Sequence, residues 1–374
     1  MIEFESGGEI QAREKEFPPQ SFPLKIKVLG VGGAGCGILS RIYSEKMPGI
    51  FFAVCDSSLK SLSFCEGMEK ILLGEHVTKG WGTGGDKELA KKICEEAEDR
   101  IVEVLDGAEL LFVVCGLGRG VGTGASPRIL KFAKKQGIVS MGFFILPFGF
   151  EGKQVILNSQ EALEELLQVV DGAVIVSNDN LLRMEEDEKE VGSLSLRQVF
   201  TKVDDVFKML LESIWGIFFE PGLINIDFAD IKSFLARGKQ VMITTAEASG
   251  ERGIEDAVEK VLYSPLWGEI PFKKAKGMLV IIKSGEDFRL SQLERIIASL
   301  RKKADPSAFL SFGVYTKESL KDRLILTLMT SNPSSTESFE VKVEEEARYQ
   351  QELKLGVYDK TDLDVPTFLR KKHI

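Results

Sequence analysis

The chemistry most plainly written in this chain is the holding of an anion by backbone amides. Residues 116–127, GLGRGVGTGASP, directly follow an apolar run, Leu110 to Cys115, that reads as a buried strand. Glycines recur at 116, 118, 120, 122 and 124. Alternating glycines can take positive φ and turn several N–H groups into one concavity. The helix predicted from about Ser126 adds its N-terminal dipole. Strand, glycine loop and helix N-terminus together point to phosphate. Two more glycine clusters, Gly30-Val31-Gly32-Gly33-Ala34-Gly35 and Gly80-Trp81-Gly82-Thr83-Gly84-Gly85, each follow a strand-like run. A second kind of chemistry is possible in Pro221-Gly222-Leu223-Ile224-Asn225-Ile226-Asp227-Phe228-Ala229-Asp230. Carboxylates at 227 and 230 with an amide at 225 could orient a water for hydrolysis and help place a cation. By itself such an acidic loop is more commonly just solvated.

The first glycine cluster admits a rival reading. Gly30-x-Gly32-x-x-Gly35 after a strand, with Asp56 further on, is also the dinucleotide fingerprint of a nicotinamide or flavin enzyme. Such an enzyme has no need of a second, denser glycine loop, whereas several glycine loops at strand ends suit a triphosphate held from many sides. The chain has no GxxxxGK[S/T] and so is not a P-loop enzyme.

These loops need a scaffold that brings strand ends together. The strands Ile26–Leu29, Phe51–Cys55, Leu110–Cys115, Ser140–Leu146 and Ala173–Ser177 alternate with helical stretches, among them 86–105 and 158–170. That alternation predicts a parallel, helix-covered sheet. Ser195 caps a long helical pattern over 196–219, apolar on most faces from Val206 to Phe219 and stopped by Pro221-Gly222. A second α+β region follows, with helices near 231–237, 253–263 and 290–302 and strands near 240–244, 277–282, 311–315 and 323–330. The expected organisation is a loose arm over 1–23, a nucleotide domain over 24–194, a central helix over 195–220 and an α+β domain over 221–331. A polar linker over 332–361 then leads to a short peptide over 362–374, where Leu363, Val365, Pro366, Phe368 and Leu369 could dock on a partner.

Bulk properties exclude several classes. The 374 residues carry 48 basic and 57 acidic side chains, a net charge of −9, so a general nucleic-acid surface is not expected. Five cysteines, at 36, 55, 65, 94 and 115, form no CxxC pair and read as reduced thiols of a cytoplasmic protein. Two histidines, His76 and His373, are too few for a metal site or a triad. No run reaches the length of a membrane span, and no secretory leader or direct membrane insertion is expected.

With its loops taken in order, the chain resembles the tubulin/FtsZ superfamily and, within it, the bacterial-type FtsZ cell-division GTPases, from about Lys25 to Ser331 and again at the C-terminus. Gly118-Arg119-Gly120-Val121-Gly122-Thr123-Gly124 is similar to the family's GGGTGTG, and the first loop fits GVGGxG. Thr78-x-Gly80-x-Gly82-x-Gly84-Gly85 is similar to its third nucleotide loop. Pro147-Phe148-x-Phe150-Glu151-Gly152-Lys153 and Ser177-Asn178-Asp179 match further segments, and Asn225 to Asp230 resembles the synergy loop NxDFAD. The resemblance implies an α/β fold: a Rossmann-like GTPase domain with a parallel sheet, a long central helix and a smaller α+β domain. It implies phosphate binding by Gly32, Gly33, Ala34, Gly35, Cys36 and Gly37, by Thr83 and Gly84, and by residues 118–124. It implies Glu151 at the ribose, and Asn178, Phe200 and Asp204 at guanine. Asn225, Asp227 and Asp230 would act on GTP held by a neighbouring subunit, with Mg²⁺ bound through the phosphates. Head-to-tail self-assembly then completes the hydrolytic site and propagates a filament. The ending Asp362-Leu363-Asp364-Val365-Pro366-Thr367-Phe368-Leu369-Arg370-Lys371 resembles the FtsZ tail that docks on membrane-anchoring partners at the mid-cell division site.

The departures from that pattern gather at the phosphates. Arg119 stands where the family has glycine and Val121 where it has threonine. Val155 replaces an arginine that reaches the nucleotide, and Gly37 replaces an asparagine, with Cys36 before it. Losing one charge-assisted contact costs on the order of 1.5–3 kcal/mol, and Arg119 could offset the loss at Val155. The alternative these departures leave open is a catalytically weak relative that serves as a structural or regulatory filament partner.

Overall fold

The computed structural model describes residues 24–43, 47–183, 195–250, 252–263 and 272–333. The N-terminal arm, most of the linker and the docking peptide with Leu363, Val365, Pro366, Phe368 and Leu369 lie outside the described residues.

The described residues form ten strands, all but β3 from apolar runs: β1 (Ile26–Val31), β2 (Ile50–Asp56), β3 (Glu69–Leu72), β4 (Leu110–Gly116), β5 (Val139–Leu146), β6 (Gly172–Ser177), β7 (Gln240–Ser249), β8 (Gly277–Ser284), β9 (Phe309–Thr316) and β10 (Arg323–Asn332). They form one sheet in the order β3-β2-β1-β4-β5-β6-β7-β10-β8-β9. The first six are parallel, as continuous apolar strands covered by helices on both faces demand. Two-faced burial is clearest in β4, where Leu110 to Cys115 are all 0% exposed. β10 then runs antiparallel to both β7 and β8, and β9 is parallel to β8. The two halves of the sheet meet at β6 and β7, which pair only at Ala173↔Gln240 and Val174↔Val241.

Sequence patterning misses β3, an edge strand of four residues in which Glu69 and Lys70 face solvent and no apolar run forms. The helical stretch 86–105 is two helices, Lys87–Glu96 and Glu98–Leu105, broken at Ala97.

The central helix runs over Leu196–Phe219, with Ser195 and Gln198 forming a capping box at its start. Its Phe207, Leu210, Leu211 and Ile214 are fully buried. Phe207 packs on Phe143 and Phe112, at 4.9 and 6.5 Å between ring centroids. The same core reaches Val241, Ile243, Leu279 and Met329, so this one helix plugs the seam between the two halves of the sheet. At 1.5 Å per residue it is about 36 Å long. Phe200 lies near its beginning. Near its end, the Trp215 indole donates to the Pro48 carbonyl at 2.9 Å, just before β2 begins. The helix therefore spans the sheet from the C-terminal ends of the strands to the N-terminal ends.

Candidate nucleotide site

A cleft of about 520 Å³ opens over the C-terminal ends of β1, β2, β4, β5 and β6. That position is where open α/β sheets bind ligands, and the volume is in the range of small-molecule sites. Two helices begin on its floor, Gly32–Ile42 after β1 and Val121–Lys135 after β4, and neither has a side-chain cap. The first-turn amides of both helices have no side-chain acceptor, and two positive dipole ends converge on one cavity. An anion is the partner that such an arrangement selects.

The helix after β4 begins at Val121 rather than near Ser126, so Gly122 and Gly124 belong to its first turn. Of the five alternating glycines only Gly118, at φ 104°, uses a left-handed backbone. The others serve close approach. A Cβ on Gly122 would sit 2.2 Å from the Gly116 carbonyl oxygen, and one on Gly124 would sit 2.1 Å from that of Lys87. Thr123 is turned inward, its hydroxyl accepting from the Gly118 amide at 2.9 Å.

The cleft wall contains most of the residues singled out in the sequence: Gly32, Gly33, Ala34, Gly37, Thr83, Gly84, Arg119, Gly120, Val121, Gly122, Glu151, Asn178 and Phe200. Asn178 is buried and its Oδ1 has no protein partner, leaving an acceptor for a ligand N–H. Phe200 is 41% exposed and presents an aromatic face at the rim. Gly35, Cys36, Gly118, Thr123, Gly124, Val155 and Asp204 are not among the wall residues. Gly35 lets the first helix meet β4, since a Cβ there would lie 2.2 Å from the Val114 carbonyl oxygen. The Cys36 thiol is buried behind the loop, and burial pushes its pKa up, so it stays protonated. Val155 packs beneath Gly118, its Cγ1 filling the space that a Cβ there would need.

Two carboxylates read as ligand contacts are held by arginines. Asp204 takes a bidentate pair from Arg41, with Nε to Oδ2 at 2.5 Å and Nη2 to Oδ1 at 2.8 Å. Glu151 Oε2 accepts from Arg119, at 2.9 Å from Nη2 and 3.3 Å from Nε. Arg41 and Asp56 are wall residues that the motif reading did not place at a phosphate site. The signal for Arg41 was present: 34, 37, 38 and 41 fall on one helical face and all four line the cleft. Asp56 ends β2 beside the first glycine loop, accepting from the Ser57 amide at 2.7 Å. It has no salt bridge among the described residues, and burial pushes its carboxyl above the usual range despite hydrogen bonds from Ser61, Ser57 and Ser58.

The acidic loop lies at the far end of the central helix. From Phe200 to Glu220 the helix rise alone gives about 30 Å, so the loop cannot reach the cleft of its own subunit. It is pinned to β9 by the Leu223 amide to Val314 O and the Val314 amide to Ile224 O, both 2.8 Å. Asn225 Oδ1 accepts from the Gly222 amide at 3.0 Å. Asp227 caps the helix Phe228–Leu235, its Oδ1 accepting from the Asp230 amide at 2.8 Å, and Asp230 Oδ2 answers from the Asp227 amide at 3.3 Å. This capping box was not read from the sequence, although D-x-x-D before an apolar run was its signal. It fixes both carboxylates at the surface, with Asp227 exposed and Asp230 half-buried.

Known proteins resemble this chain along most of its length. Residues 25–186 match the tubulin/FtsZ family GTPase domain, and residues 239–332 match the FtsZ family C-terminal domain. Cell division protein FtsZ 1 of Thermococcus kodakarensis is 32% identical over 91% of this chain and 88% of its own length. Cell division protein FtsZ of Buchnera aphidicola subsp. Baizongia pistaciae is 30% identical, covering 93% of this chain and 97% of its own. An empty FtsZ dimer from M. jannaschii superposes with a TM-score of 0.73 at 29% identity, over 83% of this chain and 88% of that one. CetZ2 from Haloferax volcanii, solved as a GTPγS-bound protofilament, shares the fold at 21% identity, with a TM-score of 0.70 over 88% of this chain and 100% of that one. On both its sequence and its architecture, then, this chain belongs to the FtsZ group of the tubulin/FtsZ family.

Proposed function

We propose that this chain binds GTP in the cleft, polymerises head to tail and hydrolyses the nucleotide at the junction between subunits, acting as the filament scaffold of a cytoplasmic cell-division ring. The observation that carries this is the separation of the two polar sites. Uncapped helix ends and glycine loops lie at one end of the central helix, and a rigid Asn225–Asp227–Asp230 hook lies about 30 Å away at the other. Each is incomplete alone. Stacking one subunit on the next brings hook to cleft, a contact that propagates rather than closes.

In this reading the phosphates lie against the amides of the Gly32 and Val121 helix ends and the Thr83–Gly84 turn. Glu151 meets the ribose, Asn178 and Phe200 read the base, and Asp204, set behind the wall, joins them when its pair with Arg41 opens. The carboxylates of Asp227 and Asp230 in the neighbour orient a water and take up its proton as it attacks the γ-phosphorus. The bond to the β-phosphate oxygen breaks, leaving GDP and inorganic phosphate. Mg²⁺ fits the site: Asp56 is a buried carboxyl on the cleft wall with no salt bridge among the described residues. It would hold the phosphate-bound cation from the protein side, and the cation would supply charge neutralisation. The domain limits given above and the docking of Leu363, Val365, Pro366, Phe368 and Leu369 on membrane-anchoring partners complete the proposal.

Phosphate release from GTP, measured against protein concentration with light scattering on the same samples, tests it. Turnover that begins only above a threshold concentration, together with scattering, is the expected result. Nucleotide-dependent scattering without phosphate release would replace the GTPase with a static filament partner.

A further inference from the structure

Arg119 sits between Gly118 and Gly120 in the middle of the phosphate loop, yet its guanidinium is bound to Glu151. Three of the acceptor sites of the Glu151 carboxylate are thereby taken, both of those on Oε2 by Arg119. Its Oε1 accepts from the Phe148 amide at 3.1 Å, and its Oε2 accepts twice from Arg119. A ribose hydroxyl therefore cannot take Glu151 Oε2 without competing with Arg119.

The pair is built to exchange. The Arg119 side chain is 72% exposed and that of Glu151 is 20% exposed, so water and salt weaken their attraction. The loop itself is pinned: a Cβ on Gly120 would lie 2.0 Å from Thr83 Oγ1, and Val155 fills the space under Gly118. Movement at this point is thus a change of side-chain rotamer, from a single carboxylate to a neighbouring polyphosphate. A guanidinium favours the phosphates, which carry more charge and offer bidentate oxygens in a cleft that two helix N-termini already make positive.

We propose that Arg119 is a specificity-determining residue that holds Glu151 by this pair and transfers to the phosphates when a nucleotide binds. The transfer frees Glu151 for the ribose at the moment a phosphate arrives. A nucleoside offers Arg119 no new partner and must displace it without compensation. The site thereby discriminates a guanosine phosphate from guanosine. This inference rests on the guanine-nucleotide reading above.

The test is binding of GTP, GDP and guanosine to the full chain and to Arg119→Gly and Arg119→Gln. GTP and GDP are titrated directly, and guanosine is measured by displacement of a fluorescent GTP analogue. Both substitutions should weaken GTP and GDP about tenfold and leave guanosine unchanged or a few-fold tighter. Equal tightening of all three ligands would make Arg119 only a lid over Glu151, and equal weakening would make it a support of the loop; either would overturn the transfer. Retention of GTP affinity in Arg119→Gln would also overturn it, since that variant keeps bulk and hydrogen bonding without charge. If the unaltered chain binds none of the three ligands, the nucleotide reading falls first and this inference with it.

Discussion

The two ends of the central helix handle polar groups in opposite ways. At the Phe200 end, two helix N-termini are left without side-chain caps and open onto a cleft whose working groups are backbone amides. At the Glu220 end, side chains are stapled to one another and to the backbone. Asp227 and Asp230 form a capping box, Asn225 holds Gly222, and Glu220 itself is gripped by Lys317 at 2.6 Å and Lys283 at 2.9 Å. A site made of amides tolerates many side chains, because every residue except proline supplies the same N–H. It does not tolerate a Cβ where two backbones touch. Departures from the family pattern fall accordingly. Arg119 points out of the loop and is mostly exposed, while Gly120, Gly122 and Gly124, where a Cβ would collide, are kept. The loop at the other end is made of side-chain oxygens, and its motif is intact.

The comparison breaks most decisively at Asp227. Asp227→Ala should leave GTP affinity nearly unchanged and lower turnover by on the order of 10²–10⁴. It also removes a helix cap worth about 1 kcal/mol. Asp227→Asn separates the two roles, because asparagine caps as well as aspartate does. Turnover should fall as far in Asp227→Asn while urea unfolding stays at the level of the unaltered chain. Normal turnover in Asp227→Asn would reduce Asp227 to a cap.

At the cleft end the largest effect should come from a methyl group. Gly122→Ala forces a Cβ to within 2.2 Å of the Gly116 carbonyl oxygen, and neither backbone can yield without moving the first turn of the helix. A loss of about 1–3 kcal/mol in stability is expected, with loss of nucleotide binding, by thermal unfolding and titration. Val121→Thr, one residue away, adds no Cβ and places a hydroxyl on the cleft wall, so it should cost about 1 kcal/mol in stability and keep nucleotide binding. Equal damage from the two substitutions would contradict the distinction between backbone and side-chain positions.

Glu220 provides a smaller test at the opposite end. Burial works against its ionisation, but the hydrogen bonds and charges of Lys317 and Lys283 outweigh burial and hold its carboxyl below the usual range. A carboxyl lowered in the folded state stabilises above its unfolded pKa of about 4.3, and the contribution fades as pH falls through the folded value. Glu220→Gln should therefore cost about 1 kcal/mol at pH 7, discounted for the half-exposed Lys317, and the difference should narrow as pH falls below about 4.3. Urea midpoints at pH 7 and pH 3.5 measure this. A gap that persists in acid would assign the effect to packing.

Much of this architecture was legible in the sequence because burial writes it there. The continuous apolar runs of β1, β4 and β5 could only be strands covered on both faces, and Ser195 marked the start of the central helix. The edge strand β3 was hidden because its exposed Glu69 and Lys70 break any apolar run. In the site, the glycines showed where backbones approach, but not that Gly122 and Gly124 lie inside a helix. The partners of Asp204 and Glu151 were illegible for a different reason. Arg41 is 163 residues from Asp204 and Arg119 is 32 from Glu151, and pairing over such distances is set by the fold.

The finest test concerns Asp56, the one acid of the cleft wall that belongs to neither principle. It is a side-chain group in a backbone-made site, buried and without a salt bridge among the described residues. A buried carboxylate beside a polyphosphate is repulsive unless a cation lies between them, and removal of that charge should act with opposite signs in two buffers. Without divalent cation, Asp56→Asn should bind GTP more tightly, because a like charge has gone. With Mg²⁺ it should bind more weakly, because the cation has lost its anchor on the protein. Each change should be about 1 kcal/mol, roughly fivefold. The substitution keeps an oxygen for the Ser57 amide, so a structural loss would shift both affinities the same way. Titration of a fluorescent GTP analogue in EDTA and in Mg²⁺ separates the cases. Parallel weakening in both buffers would leave Asp56 as a support for the first glycine loop and return the cation wholly to the phosphates.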